Sequence, residues 1–321
     1  MRIINSKQPR NEGMICKVNI NYLANLANPN QTQVVFSKIL TQVLALYERF
    51  VPHEVRNRRN IHLQKQSDVV VIASYLWAIQ EGCRTASAIY RAIRHNLFPD
   101  NFPESSRFCR ICQNLAQSIQ RMRYFIVLNL CQTCSFGLID SFPCALCHPI
   151  RNMRATLLSE VADIGYHATK KIHYYGLKFS ILVSDSGFPI DYVVTPASIY
   201  DGDVALELLE NSPFPIIYGD KGYVARQTKA ALADYGIQLI SQLRKNMMAY
   251  SWLENYKISR LRKPVETVFS SLEQFGMEEL RCRNIQVLKF KTEAILLIYS
   301  LLLKSSHTEF GISLKYSLAY A

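Results

Sequence analysis

The chain has 321 residues, of which 49% are hydrophobic, so it can bury a substantial core and does not have the composition of a disordered protein. Lys and Arg total 37 against 25 Asp and Glu, which gives a net charge of +12 and a pI near 9.3. This charge favours a polyanionic partner, nucleic acid first, although an ordinary basic enzyme can have the same composition. The longest apolar stretches, Val69 to Ile79 and Ala294 to Leu303, are shorter than the ~20 residues of a spanning helix. We therefore expect no membrane association.

The sequence begins without the long apolar core of a signal peptide, so we expect a cytoplasmic protein. The nine cysteines are then expected to be reduced thiols. Three Cys-x-x-Cys pairs resemble zinc half-sites, but we consider a structural zinc unlikely. The first pair lies on a helical pattern, and a predicted strand separates the other two. The pairs are Cys109 with Cys112, Cys131 with Cys134, and Cys144 with Cys147.

The first part of the chain, up to about residue 130, has apolar residues at the three- and four-residue spacing of helices. Predicted N-caps are Ser67, Thr85 and either Ser105 or Ser106, and helix breaks are expected at Gly82, Pro99 and Pro103. The predicted helices cover Val34 to Phe50, Asp68 to Gln80, Thr85 to Phe98 and Ser105 to Leu130.

Positive charge concentrates in this helical part. Between Val51 and Leu130 there are eleven basic residues and five acidic ones. Basic side chains on such helices can neutralise DNA phosphates, although each one can also belong to an ordinary solvated face. The candidate phosphate contacts are Arg56, Arg58, Arg59, Arg91 and Arg94.

After residue 130 the pattern changes to short, β-branched or aromatic runs that alternate with helical stretches, which predicts a mixed α/β sheet with helices on its faces. Asp185-Ser-Gly187 predicts the turn of a β-hairpin over Tyr175 to Val194. Asp201 is interpreted as the N-cap of the helix that follows, in preference to a functional role in the motif that it ends. The other predicted strands are Leu138 to Leu146, Pro215 to Tyr218 and Ile237 to Leu243, and the predicted helices are Asp203 to Asn211 and Ala225 to Tyr235.

Three acids from distant segments suggest a metal site. Asp140 and Asp220 each end an apolar run, and Gly222 lies two residues after Asp220. Glu266 lies on a predicted helix with Pro264 in its first turn. Mg²⁺ prefers oxygen ligands, and three carboxylates on one face can hold two ions for phosphodiester chemistry. Glu266 can also be a simple first-turn helix acid and Asp220 a simple turn residue, so spacing alone leaves both interpretations open.

Several motifs together resemble the DDE transposases of bacterial insertion sequences, and within them the insertion-sequence nine-eighty-two family. The resemblance spans roughly Ser67 to Leu303, and Gly219-Asp-Lys-Gly-Tyr223 is its most specific part. The other motifs are Ile139-Asp-Ser-Phe-Pro-Cys144, Tyr175-Gly-Leu-Lys178, Thr195-Pro-Ala-Ser-Ile-Tyr-Asp201 and Arg262-Lys-Pro-Val-Glu-Thr-Val-Phe269.

The resemblance implies an RNase H-like catalytic domain in which Asp140, Asp220 and Glu266 hold Mg²⁺, with Mn²⁺ as a substitute. Lys178, Lys221 and Arg262 are expected to hold phosphates while charge develops on the transferring group, and surface solubilisation is the competing interpretation for the two lysines. Two flanking positions depart from the pattern of neighbouring families, since Ser259 replaces a Tyr and Glu273 replaces a Lys.

The sequence thus predicts a helical, basic DNA-binding region over residues 1–130, a DDE catalytic domain over 131–304 and a tail over 305–321. The predicted function is a nucleoid-associated bacterial transposase that acts on terminal inverted repeats and target DNA as a homodimer. Two alternatives remain: a DNA-binding protein without catalysis, such as a decayed transposase or a repressor, and an RNase H-like nuclease that never joins strands.

Overall fold

The computed structural model describes residues 31–167 and 170–309, and it begins with the predicted helical region. The single helix expected over 105–130 is wrong, because the buried Leu115 separates two helices whose apolar stripes each reach the core. In chain order the helices are α1 (Gln31–Phe50), the single turn α2 (His53–Arg56), α3 (Asp68–Gln80), α4 (Ala86–Asn96), α5 (Ser105–Asn114) and α6 (Ala116–Leu130).

The predicted N-caps are confirmed at α3 and α4. Ser67 Oγ accepts a hydrogen bond from the Val70 N–H at 3.3 Å, and Thr85 Oγ1 accepts one from the Ala88 N–H at 3.2 Å. The cap expected at Ser105 or Ser106 is wrong: the residue before α5 is Glu104, and its side chain makes no capping bond. The break after α3 falls at Gly82, where φ is +84°, a conformation that glycine adopts without strain.

A six-stranded mixed sheet follows the helices. The order β4-β3-β1-β5-β6 has antiparallel pairs up to β1 and parallel pairs beyond it, which is the RNase H-like arrangement. β2 was not predicted; it pairs with the amino-terminal end of β3, outside this arrangement. The strands are β1 (Gly137–Ala145), β2 (Asp163–His167), β3 (Ile172–Ser184), β4 (Pro189–Pro196), β5 (Ile216–Gly219) and β6 (Gln238–Ser241).

The predicted hairpin is confirmed as β3 and β4. The Ser184 N–H donates to the Phe188 carbonyl at 2.9 Å, and Gly187 has φ +87°. Helices cover the sheet and continue to the carboxyl-terminal part: α7 (Asp201–Leu209), α8 (Arg226–Asp234), α9 (Trp252–Leu261), α10 (Lys263–Gln274) and α11 (Ile285–Glu309).

The long helix α11 returns to the amino-terminal helices and packs on α3, α5 and α6. A buried ion pair joins the parts: Arg123 of α6 donates to Glu293 of α11 at 2.6 Å and to the Ile190 carbonyl of β4 at 2.8 Å. The Tyr192 hydroxyl donates to the same carboxylate at 2.9 Å, so the buried charges have several partners. The helical region and the sheet therefore share one hydrophobic core. The predicted division into three regions stays a prediction.

Candidate active site

Asp140 and Asp220 occupy equivalent positions on neighbouring strands. Asp140 lies within β1, where it pairs with Ile181 of β3, and Asp220 directly follows β5. The parallel register of β1 and β5 pairs Gly137 with Ile217, and continuing it by three residues sets Asp140 beside Asp220. Since parallel strands point their carboxyl ends the same way, two acids from distant segments of the chain arrive at one place on the sheet.

Asp140 lies in a polar but largely enclosed environment. Its Oδ2 accepts a hydrogen bond from Arg262 Nη2 at 2.6 Å, and its Oδ1 accepts one from the Ser141 N–H at 2.9 Å. Burial raises the pKa of Asp140 to about 7 even though Arg262 lowers it, and the nearby Asp220 and Asp201 carboxylates raise it further. The negative charge of Asp140 and its two neighbouring carboxylates is therefore greater than the single positive charge of Arg262 can offset.

A tight turn fixes the Asp220 carboxylate. The Gly222 N–H donates to Asp220 Oδ1 at 2.7 Å. A Cβ at Gly222 would lie 2.9 Å from that oxygen and 3.4 Å from Asp201 Oδ2, so glycine allows this close approach. These two distances show that the carboxylates of Asp201 and Asp220 both lie next to Gly222.

Asp201 belongs to this cluster, and its interpretation as an N-cap is wrong. The capping position is Tyr200, and Asp201 is the first residue of α7. Its carboxylate instead binds Lys178 Nζ at 2.9 Å and the Ser141 hydroxyl at 3.0 Å. Lys178 also donates to the carbonyl of Ile199. The motif that ends in Asp201 was the available signal for this role.

The third predicted acid, Glu266, lies at the start of α10. It lies in the first turn of α10 next to Pro264, as predicted, but its side chain is exposed. Arg262, one turn earlier, is the residue of this segment that reaches Asp140. Over residues 31–167 and 170–309, no group of three or more His, Cys, Asp or Glu side chains is arranged to hold a metal ion.

Two buried polar atoms near the acids have no hydrogen-bond partner in the described part of the chain: the Tyr223 hydroxyl and Arg262 Nε. Burial raises the pKa of Tyr223 well above its ordinary value, and the carboxylates of Asp201, Asp140 and Asp220 raise it further. Three carboxylates that share two cations, beside a hydroxyl that has no partner among the described residues, form the oxygen-rich environment that a hydrated Mg²⁺ or Mn²⁺ takes. The chemistry of the donors therefore fits a divalent cation.

Residues 130–285 match the family model described as a transposase DDE domain. This matched segment, residues 130–285, is called the DDE domain below after the model that it matches, and it contains every acid and base of the site just described. No curated protein matches the chain. The finer assignment to the insertion-sequence nine-eighty-two family stays a prediction.

Within the DDE domain, the three predicted basic residues differ in their contacts. Arg262 and Lys178 pair with Asp140 and Asp201, whereas Lys221 is exposed beside Asp220. Lys178 and Arg262 therefore neutralise the acids directly, and Lys221 is accessible to a phosphate from solvent.

Outside the DDE domain, the predicted arginines divide into engaged and accessible ones. Arg56 donates to the carbonyls of Val51 and Tyr47 near the carboxyl end of α1, and Arg58 pairs with Asp68 at 2.6 Å. Arg59 and Arg91 are exposed, and Arg94 is half-buried. The engaged residues contribute to folding, which leaves the accessible ones as the better candidates for DNA.

The cysteines of the described segments are all free thiols. Cys109 and Cys112 lie on α5 as expected, and Cys144 lies on β1 with Asp140. Burial raises the pKa of the Cys144 and Cys282 thiols, to about 12 and about 11, which disfavours the thiolate form. No helix in the described ranges is long and apolar enough to cross a bilayer.

Proposed function

We propose that this protein is a DNA transposase that binds the ends of its element, cleaves phosphodiester bonds and transfers the 3′-hydroxyl ends to target DNA. The strongest support is the placement of Asp140 and Asp220 at equivalent positions on neighbouring parallel strands of a segment that matches a transposase DDE domain. Joining two element ends requires two active sites, so the proposal includes a homodimer.

The proposed metal ligands are Asp140, Asp220 and Glu266. Bound Mg²⁺ would activate the attacking water or hydroxyl and stabilise the leaving oxygen. Arg262 offsets the charge of Asp140. Since Arg262 immediately precedes α10, this ion pair also holds the first turn of α10, which carries Glu266, beside Asp140. Lys178 and Lys221 would hold the DNA phosphates next to the reacting bond, where positive charge stabilises the transition state.

A nicking and joining assay tests the proposal. Labelled duplexes from the DNA that flanks the gene on each side are incubated with the protein and Mg²⁺ or Mn²⁺. Asp220→Asn is the test variant, and Glu207→Gln, an exposed acid on α7, is the matched control. We expect Asp220→Asn to lose cleavage by at least about 100-fold, because even indirect partners of metal ligands contribute 10–100-fold. DNA binding should be retained, since the basic surfaces are unchanged.

The outcomes separate the alternatives. Metal-dependent nicking with joined product supports a transposase, and nicking without joined product supports a nuclease that does not join strands. DNA binding with no nicking by the parent protein supports a DNA-binding protein without catalysis. Loss of binding and cleavage together in Asp220→Asn would contradict the proposed separation of the acids from the DNA-binding surfaces.

The same assay tests whether Glu266 or Asp201 is the third metal ligand. Glu266→Gln is expected to reduce cleavage as strongly as Asp220→Asn, whereas Asp201→Asn should reduce it less, because Asp201 already pairs with Lys178. The opposite order would make Asp201 the third ligand. Metal affinity, measured by the rise in melting temperature with Mn²⁺, reports the same comparison independently of cleavage.

A further inference from the structure

The helix α9 has an exposed aromatic pair. Trp252 is 67% exposed and Tyr256 is 49% exposed. Their rings stack on each other with centroids 5.4 Å apart and planes 10° apart, as residues one helical turn apart can do. Exposed large rings that lie together on a surface mark a binding site more often than isolated ones do.

Other residues of α9 fix the pair in place. Ile258 is buried, and the Asn255 side chain makes two hydrogen bonds to the backbone of Leu243, at 2.9 and 2.8 Å. Gln242 Nε2 donates to the Asn255 carbonyl at 3.2 Å. The helix is therefore tied to the chain that leaves β6, and the aromatic face is oriented in advance toward solvent.

The aromatic pair lies close to the proposed active site along the chain. β6 pairs in parallel with β5, whose carboxyl end carries Asp220. α9 ends at Leu261, and the next residue, Arg262, binds Asp140. The ten residues of α9, from Trp252 to Leu261, extend about 15 Å, a distance of about four base steps along DNA at 3.4 Å each.

The charge around the pair identifies its ligand class. The segment from residue 244 to 263 contains one acid, Glu254, and Arg262 of this segment is already paired with Asp140. The remaining basic side chains are all exposed, so they favour a polyanion over a neutral or basic protein surface. They are Arg244, Lys245, Lys257, Arg260 and Lys263.

We propose that Trp252 and Tyr256 form a stacking platform for an unpaired DNA base near the bond that is cut, with Lys257 and Arg260 on the adjacent phosphates. An aromatic ring flanked by cations is how proteins bind single strands without reading sequence, and bases within a duplex cannot reach such a ring. This inference rests on the proposed function and adds that the strand is unpaired where it enters the site.

Fluorescence can test the platform directly, because the chain has two tryptophans and the other, Trp77, is 2% exposed. In Trp77→Phe the emission comes from Trp252 alone. Titrating this variant with a dT oligonucleotide in chelator should quench the emission. A duplex of equal length should quench it far less, because its bases are already stacked with each other.

Anisotropy with a labelled oligonucleotide gives a second measurement that does not depend on Trp77→Phe. Trp252→Ala and Tyr256→Ala should each weaken single-strand binding about 10- to 100-fold, as expected for the loss of one stacked base, with little change for duplex. Tyr235→Ala is the matched control, since Tyr235 is 57% exposed at the end of α8 and lies outside the basic segment. It should bind like the parent.

Equal losses for single strand and duplex, or no quenching of Trp252, would overturn the platform. So would a parent dimer that dissociates in Trp252→Ala with unchanged DNA affinity, because the face would then be an interface between copies. Failure of the proposed function gives a different result. If single strands quench Trp252 but the parent protein does not nick DNA, the transposase proposal is wrong and the stacking platform stands. If Trp252→Ala nicks DNA and binds single strands like the parent, only the stacking platform is wrong.

Discussion

Two arginine–aspartate ion pairs with the same N···O distance, one in the helical region and one in the DDE domain, have different surroundings. Arg58 Nη2 lies 2.6 Å from Asp68, and Arg262 Nη2 lies 2.6 Å from Asp140. Asp68 is buried and also accepts a hydrogen bond from the Tyr47 hydroxyl at 2.7 Å. Asp140 has the backbone N–H of Ser141 as its second donor and two further carboxylates nearby.

The difference shows that charge balance, and not the geometry of the pair, separates a structural site from a candidate catalytic one. In the helical region one acid has a cation and a hydroxyl donor, so its charge is satisfied. In the DDE domain Asp140, Asp201 and Asp220 share two cations, and the pKa of Asp140 is raised to about 7. A site that keeps unfavourable charge at neutral pH is typical of function rather than stability.

The largest expected effect on stability is in the helical region. Arg58→Ala should lower the free energy of unfolding by about 1–3 kcal/mol, because it leaves the buried Asp68 carboxylate without its cation. Urea unfolding at neutral pH measures the change. A variant as stable as the parent would mean that the Tyr47 hydroxyl alone satisfies Asp68, and the comparison between the two pairs would fail.

The corresponding change in the DDE domain should have the opposite sign. In chelator-treated protein Asp140→Asn should raise the free energy of unfolding at pH 8 by on the order of 1 kcal/mol, because it removes a charge from a crowded, buried position. The pKa of Asp140 rises from 3.8 to about 7 on folding. The parent therefore loses stability relative to the variant as pH increases from about 4 to 7.

Thermal unfolding at several pH values checks this expectation, with Glu207→Gln as the exposed control. The two proteins should be nearly equal in stability below about pH 3, where Asp140 is protonated in both the folded and the unfolded parent. A stability difference that does not change between pH 4 and 8 would show that the carboxyl group titrates normally. A destabilised Asp140→Asn at pH 8 would place this pair in the structural class with Arg58 and Asp68.

The smallest effect on stability is expected at Arg59, next to Arg58 but exposed. Arg59→Ala should change the free energy of unfolding by less than about 0.5 kcal/mol. If Arg59 contacts a phosphate, the variant should bind all duplexes more weakly and lower the slope of log affinity against log salt by about 1. An unchanged slope would remove Arg59 from the DNA-binding surface, and Arg91→Ala would then be the next variant to test.

Much of the fold could be predicted because its signals are local. The helices of the first region, the hairpin turn at Gly187 and the caps at Ser67 and Thr85 depend on residues a few positions apart. The break at Leu115 was missed because the apolar period continues across it, and only packing distinguishes two helices from one. β2 was missed because its position depends on its pairing with β3.

Three features could be inferred from the amino-acid sequence, since each is a property of a short segment: the two aspartates at the ends of apolar runs, the first-turn position of Glu266 and the excess of basic residues. The folded structure was needed to show that the β1–β5 register sets Asp140 beside Asp220 and that Asp201 is a site residue rather than a helix cap. It also decided which arginines are used in folding. These outcomes depend on strand pairing and burial between residues far apart in the chain, which no local pattern records.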